Sequence, residues 1–154
     1  MMSLCCDVLA ALKGKTLVTA ESLTGGGIGA ALTGVSGSSA VYKGGIISYT
    51  NEVKNQLLSV SLDTLERFGA VSEPVARAMA EGARKVLQAD VAVSVTGLAG
   101  PGGDDFGNPV GTVFIGYSDE NGTLAEQCLF TGDRESVRYQ TVERALRLIL
   151  EMHK

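Results

Sequence analysis

The run Asp90-Val-Ala-Val-Ser-Val-Thr96 constrains this chain more than any other stretch. It is nearly continuous β-type sequence and reads as a central strand. Helical and strand patterns alternate around it. Leu4, Val8, Leu9 and Leu12 recur at helical spacing, so residues 3–13 read as an amphipathic helix that Gly14 stops. Thr16 to Ala20 is a short buried strand, and a helix follows from about Gly27 to Leu32. Val41 to Tyr49 is a second strand. Helices are expected over residues 51–58, 61–68 and from Ser72 to about Leu87, the last with Val75, Met79, Ala83 and Val86 on one face. Val110 to Tyr117 and Thr123 to Phe130 are strands joined by the turn Asp119-Glu-Asn-Gly122, so the sheet must contain an antiparallel pair. Asp133 caps a last helix whose apolar face includes Leu146, Ile149 and Leu150. This order predicts the α/β class: a single three-layer α/β/α domain over residues 1–154 with a mixed, mostly parallel sheet.

Bulk properties exclude several functions. A formal charge of −4 with no basic run argues against a surface that coats nucleic acid. No apolar stretch approaches the ~20 residues that span a bilayer. The N-terminus lacks the basic start of a signal peptide, and Asp7 interrupts its apolar positions. Cys5, Cys6 and Cys128 are odd in number and two are adjacent, which fits a reduced, cytoplasmic protein. His153 is the only histidine, which removes a histidine-based triad and most transition-metal sites.

The chemistry is expected around Gly37 to Lys54. A polar turn leads into the second strand, Asn51 takes a helix N-cap position, and Lys54 falls in the first helical turn. The helix dipole is positive there, so a lysine is poorly placed unless it serves a purpose. If partly buried it loses its proton more easily, and a neutral amine beside a hydroxyl can act as a general base. Ser39, Tyr49 and Lys54 are therefore a candidate serine–lysine constellation; a capped helix with a solvated lysine is the plainer alternative. Gly25, Gly26 and Gly27 follow the first strand and suit either close approach to a ligand or tight strand–helix packing. Thr96 and Gly97 open a long Gly/Pro-rich loop of the kind that is usually functional or mobile. In it, Asp104 and Asp105 could ligate a cation or simply be solvated. Arg134, at the start of the last helix, suits an anionic partner or a surface pair with Glu135 or Glu81.

Four blocks together resemble the CinA C-terminal domain family, whose characterised members are nicotinamide-nucleotide amidases. They are Ala20-Glu-Ser-Leu-Thr-Gly-Gly26, Gly37-Ser-Ser-Ala40 with Ser48-Tyr-Thr-Asn-Glu-Val-Lys54, Gly69-Ala-Val-Ser-Glu-Pro74, and Thr96-Gly-Leu-Ala-Gly-Pro-Gly with Pro109-Val-Gly-Thr-Val113. The resemblance covers about residues 4 to 150. It implies hydrolysis of the carboxamide of nicotinamide mononucleotide to nicotinate mononucleotide and ammonia. No cofactor is expected, and no metal beyond the cation that Asp104 and Asp105 could ligate. It implies Ser39, Tyr49 and Lys54 as catalytic residues. Ser22, Thr24, Gly25, Thr96, Gly97 and Arg134 are the expected substrate contacts, and a homodimer or higher homo-oligomer the expected state. Leu23 departs from the family pattern, where many relatives carry cysteine. The family's larger architecture adds a molybdopterin-binding-like domain that these residues do not include, and functions resting on it are not expected here. A non-catalytic nucleotide-binding or competence-related protein is the alternative.

Overall fold

A computed structural model describes all 154 residues. Five strands form one sheet in the order β2-β1-β3-β4-β5. They are β1 (Leu17–Glu21), β2 (Tyr42–Ile47), β3 (Val91–Gly97), β4 (Thr112–Asp119) and β5 (Gly122–Leu129). β1 pairs in parallel with both β2 and β3, whereas β4 runs antiparallel to β3 and to β5. Two successive reversals return β5 to the direction of β3, so β4 is the one strand opposed to the rest. The chain leaves β1 for β2 on one side and later returns to β3 on the other. The C-terminal end of β1 is therefore the place where connections diverge, and in open α/β sheets such places hold ligands.

Both faces of the sheet are covered. One face, with Leu17, Val93, Val95, Val113 and Ile115, packs against α1 (Met2–Ala11), α2 (Gly27–Thr33) and α6 (Arg134–Met152). The other, with Val18, Ala20 and Ala92, packs against α3 (Asn51–Leu58), α4 (Leu62–Phe68) and α5 (Glu73–Leu87). Strand alternation assigns each side chain to a layer. Gly82 on α5 sets how closely α3 can lie, because a Cβ there would stand 2.0 Å from the Leu58 carbonyl oxygen. That contact fixes the helix bearing Lys54.

Local details differ from expectation for identifiable reasons. Thr50, not Asn51, caps α3: Thr50 is the residue with extended backbone, and its side chain accepts from the Val53 N–H at 3.3 Å. Ser72 holds the cap position of α5 but donates its hydroxyl to the Gly69 carbonyl instead. Val86 is exposed, because the last turn of α5 brings Leu87 to the core in its place. Val75, Met79 and Ala83 are fully buried. The β4–β5 hairpin closes on the pair Asp119 and Gly122, with the Asn121 N–H donating to the Asp119 carboxylate at 2.8 Å.

Candidate active site

Three hydroxyls line up across the parallel strands. Beyond the pairs Glu21–Ile47 and Glu21–Val95, the ladder continues through Ser48 N–H to Glu21 O at 2.8 Å and Ser22 N–H to Val95 O at 3.1 Å. Ser48, Ser22 and Thr96 are thus neighbours in one row. Each continues the alternation of Ile46, Ala20 and Ala92, so all three face the α3–α5 layer. All three are buried.

Lys54 reaches into this row from α3 and is only 1% exposed. Its ammonium donates to Ser22 Oγ at 3.1 Å and to the Tyr49 carbonyl at 3.2 Å. Burial pushes its pKa down from 10.5 to about 8, because a charged amine is costly where water is excluded. A substantial fraction is then neutral near physiological pH, beside a serine hydroxyl, which is the arrangement a general base requires.

Ser39 does not join this site. It lies in a 3₁₀ turn, Ser38–Ala40, ahead of β2, whereas Lys54 follows the other end of that strand. The six residues of β2 at ~3.3 Å each separate them by roughly 20 Å. Ser39 is exposed, and the hydrogen bonds of Lys54 and Tyr49 go to other residues. The serine that meets Lys54 is Ser22, expected only as a substrate contact.

The loop after Ser22 is held rigidly. Gly25 and Gly26 take positive φ values of 59° and 101°, and the Gly25 N–H closes a turn on the Ser22 carbonyl at 3.1 Å. Glu21, 2% exposed, turns to the opposite face. Its carboxylate accepts from Thr24 Oγ1 at 2.6 Å, from the Ile28 N–H at 2.8 Å and from the Gly29 N–H at 3.1 Å. The N-terminus of α2 therefore receives its anion from within the chain, and the Thr24 hydroxyl is spent on the same carboxylate. Arg138 on α6 binds the Leu23 and Thr24 carbonyls at 2.9 and 3.2 Å, tying the loop down from above. Glu21 carries a sequence signal, an acidic residue between a buried strand and a glycine-rich helix start. Arg138 carries none.

Thr96 donates to the Ala70 carbonyl at 2.8 Å. Gly97 is occupied by packing: a Cβ there would meet Val113 Cγ2 at 2.6 Å. The glycine-rich loop beyond it is organised by Asp104. Its carboxylate accepts from the Phe106 and Asn108 N–H groups, both at 3.0 Å, and from Asn108 Nδ2 at 2.8 Å. Both Asp104 oxygens serve this loop, and Asp105 is exposed. Arg134 pairs with neither Glu135 nor Glu81; it donates to the Gly100 carbonyl at 2.6 Å and lies 3.4 Å from the Tyr49 hydroxyl. Tyr49, 60% exposed, thus links the two parts of the site: its hydroxyl lies beside Arg134 and its carbonyl accepts from Lys54.

A buried serine–lysine pair at the end of β1 can be compared with known proteins. The CinA C-terminal domain family matches residues 3–153. This chain belongs to the CinA C-terminal domain family. It is 54% identical over 149 residues to a CinA-like protein of Parasynechococcus marenigrum, covering 94% of this chain and 35% of that protein. The chain spans about a third of the length of such CinA-like relatives. It is 46% identical over 147 residues to the nicotinamide-nucleotide amidohydrolase PncC of Enterobacter agglomerans, covering 94% of this chain and 90% of that protein. Among solved structures it resembles competence damage-inducible protein A from Klebsiella pneumoniae, with a TM-score of 0.95 at 36% identity over 97% of this chain and 94% of that one. The competence/damage inducible protein CihA of Agrobacterium tumefaciens superposes equally well, with a TM-score of 0.95 at 39% identity, over 99% and 95% of the two chains.

Proposed function

We propose that this CinA domain is an amidohydrolase that cleaves the carboxamide of nicotinamide mononucleotide, with Ser22 as nucleophile and Lys54 as general base. The observation that carries this reading is the 3.1 Å contact between Lys54 Nζ and Ser22 Oγ, with the lysine buried and its pKa lowered to about 8. The substrate comes from the likeness to the amidohydrolase of Enterobacter agglomerans, which this chain matches over 90% of that protein's length.

An unactivated amide needs a nucleophile, a proton path and a stabilised oxyanion. Ser22 Oγ attacks the carboxamide carbon while its proton passes to neutral Lys54. The carbonyl electrons move onto oxygen. The Leu23 and Thr24 N–H groups, which follow Ser22 and are not spent on a backbone partner, are the candidates for holding that oxyanion. Collapse breaks the C–N bond as Lys54 returns the proton to the departing nitrogen, which leaves as ammonia. Water, deprotonated by Lys54, then hydrolyses the Ser22 ester, and the carboxylate departs as Ser22 regains its proton. Arg134 pairs with the substrate phosphate, and Tyr49 beside it packs on the ring or relays a proton. The N-terminus of α2 supplies no phosphate site, because Glu21 already fills it.

The test is ammonia release from nicotinamide mononucleotide by the purified protein, beside Lys54→Met. Release that vanishes in the variant supports the amidase. Absence of release, with the nucleotide still raising the melting temperature, would favour a binding module.

A further inference from the structure

Ser48 is fully buried, yet its Oγ has no hydrogen-bond partner. It stands next to Ser22 in the row of hydroxyls, on the face that Lys54 enters. Thr96, on the far side of Ser22, has satisfied its hydroxyl on the Ala70 carbonyl. Lys54 shows the complementary deficit. An ammonium has three N–H donors, and only two find acceptors here, at Ser22 Oγ and the Tyr49 carbonyl. An unspent donor and an unspent acceptor thus both lie beside Ser22 in the buried layer.

We propose that Ser48 is a positioning residue for Lys54, its hydroxyl accepting the lysine N–H that neither Ser22 nor Tyr49 takes. The inference rests on the serine–lysine reading above. Lysine nitrogen is tetrahedral. When Cε, the Tyr49 carbonyl and Ser48 Oγ define three of its directions, the fourth points at Ser22. In the neutral amine that direction carries the lone pair, which takes the Ser22 proton. After transfer the Ser22 O–H bond is broken, a third N–H bond is formed, and the same two acceptors hold the ammonium for its return. Thr96 cannot serve in this way, because its hydroxyl is committed to Ala70.

Charged groups on the surrounding elements do not substitute for Ser48. Glu21 on β1 faces the opposite layer, in contact with α2. Glu73 on α5 pairs with Arg77 on the surface. Arg134 of α6 binds Gly100, and Glu52 of α3 accepts from Gln56. Burial is what lowers the Lys54 pKa, and no neighbouring charge contributes to that shift.

The experiment compares wild type, Ser48→Ala and Ser48→Thr in two measurements. The first is the pH titration of the Lys54 side chain by NMR, assigned with Lys54→Met. The second is kcat and KM for nicotinamide mononucleotide across pH. Loss of an acceptor that favours the ammonium lowers the lysine pKa, so in Ser48→Ala both the titration midpoint and the acid limb of kcat/KM move down by about half a pH unit or more. The free rotation of the amine lowers kcat by roughly tenfold or more with KM little changed. Ser48→Thr, which keeps the hydroxyl, restores both. A Ser48→Ala protein with the wild-type Lys54 titration overturns the proposal, whatever its melting temperature. If the wild type hydrolyses no amide, the functional reading fails, and the titration alone still decides for or against Ser48.

Discussion

Lys54 Nζ sits 3.1 Å from Ser22 Oγ, although the two residues are 32 positions apart in the chain. The contact exists because β1 and β2 are parallel and α3 doubles back from the end of β2 over the end of β1. Everything proposed for the chemistry depends on that geometry.

The two candidate serines separate cleanly. Ser22→Ala should lower kcat by ~10³-fold or more, as loss of a nucleophile does. Ser39→Ala, in an exposed turn at the far end of β2, should stay within about twofold of wild type, since nothing there touches the reacting atoms. Steady-state kinetics on the two variants, with circular dichroism to confirm folding, make the check.

Lys54 predicts a pH dependence with a definite sign. Its folded pKa, about 8, lies below its ordinary value of 10.5, so the folded state binds fewer protons than the unfolded chain between those values. The lysine therefore costs stability below pH 8, and the cost fades as pH rises from 8 towards 10.5. Lys54→Met should unfold later than wild type at pH 7, by about 1–3 kcal/mol, because it removes the buried charge while leaving Ser22 and the Tyr49 carbonyl short of a donor. Urea unfolding at pH 7 and pH 10 should show the gain shrinking at the higher pH. Wild-type kcat/KM should rise through pH 8 to a plateau.

Glu21 should behave as a structural anchor of the nucleophile loop. Glu21→Gln replaces one acceptor oxygen with an NH2 group, so the oxygen that remains can take the place of Oε1, which accepts from Thr24 and Ile28, or of Oε2, which accepts from Gly29, but not both. A loss of about 2–4 kcal/mol is expected for breaking a buried charged hydrogen-bond network. Thermal unfolding reads it, and turnover should fall alongside as Ser22 loses its fixed position.

Arg134 distinguishes phosphate recognition from catalysis. Arg134→Ala should raise KM for nicotinamide mononucleotide about tenfold or more, with a smaller change in kcat, because a lost charge-assisted contact acts mainly on binding. The riboside, which lacks the phosphate, should be nearly indifferent to the substitution. Equal losses for both substrates would place the phosphate elsewhere.

Much of the architecture was legible because its signals are local. The apolar spacing of Leu4, Val8 and Leu12 and the β-type run around Val93 each follow from burial on a known period, and the structure buries all four residues. Boundaries slipped where neighbours compete for one role. Thr50 and Asn51 are both good caps, and only the backbone turn decides between them. The site was harder to read. Tyr49 and Lys54 are close in sequence, and their proximity survives in the fold. The choice between Ser22 and Ser39 is invisible locally, since both sit in small polar turns beside a strand. What distinguishes the two is strand order and direction, which place the end of β1 beside the end of β2 and the start of β2 far from both. The unpartnered hydroxyl of Ser48 is likewise a property of packing, with no counterpart in the pattern of the chain.

The most direct test of the central claim is mass spectrometry of the enzyme quenched during a single turnover of nicotinamide mononucleotide. The account predicts a nicotinate-nucleotide ester on the peptide that carries Ser22, absent from Ser22→Ala. An adduct on the peptide carrying Ser39, or full activity with no adduct at any quench time, would contradict it.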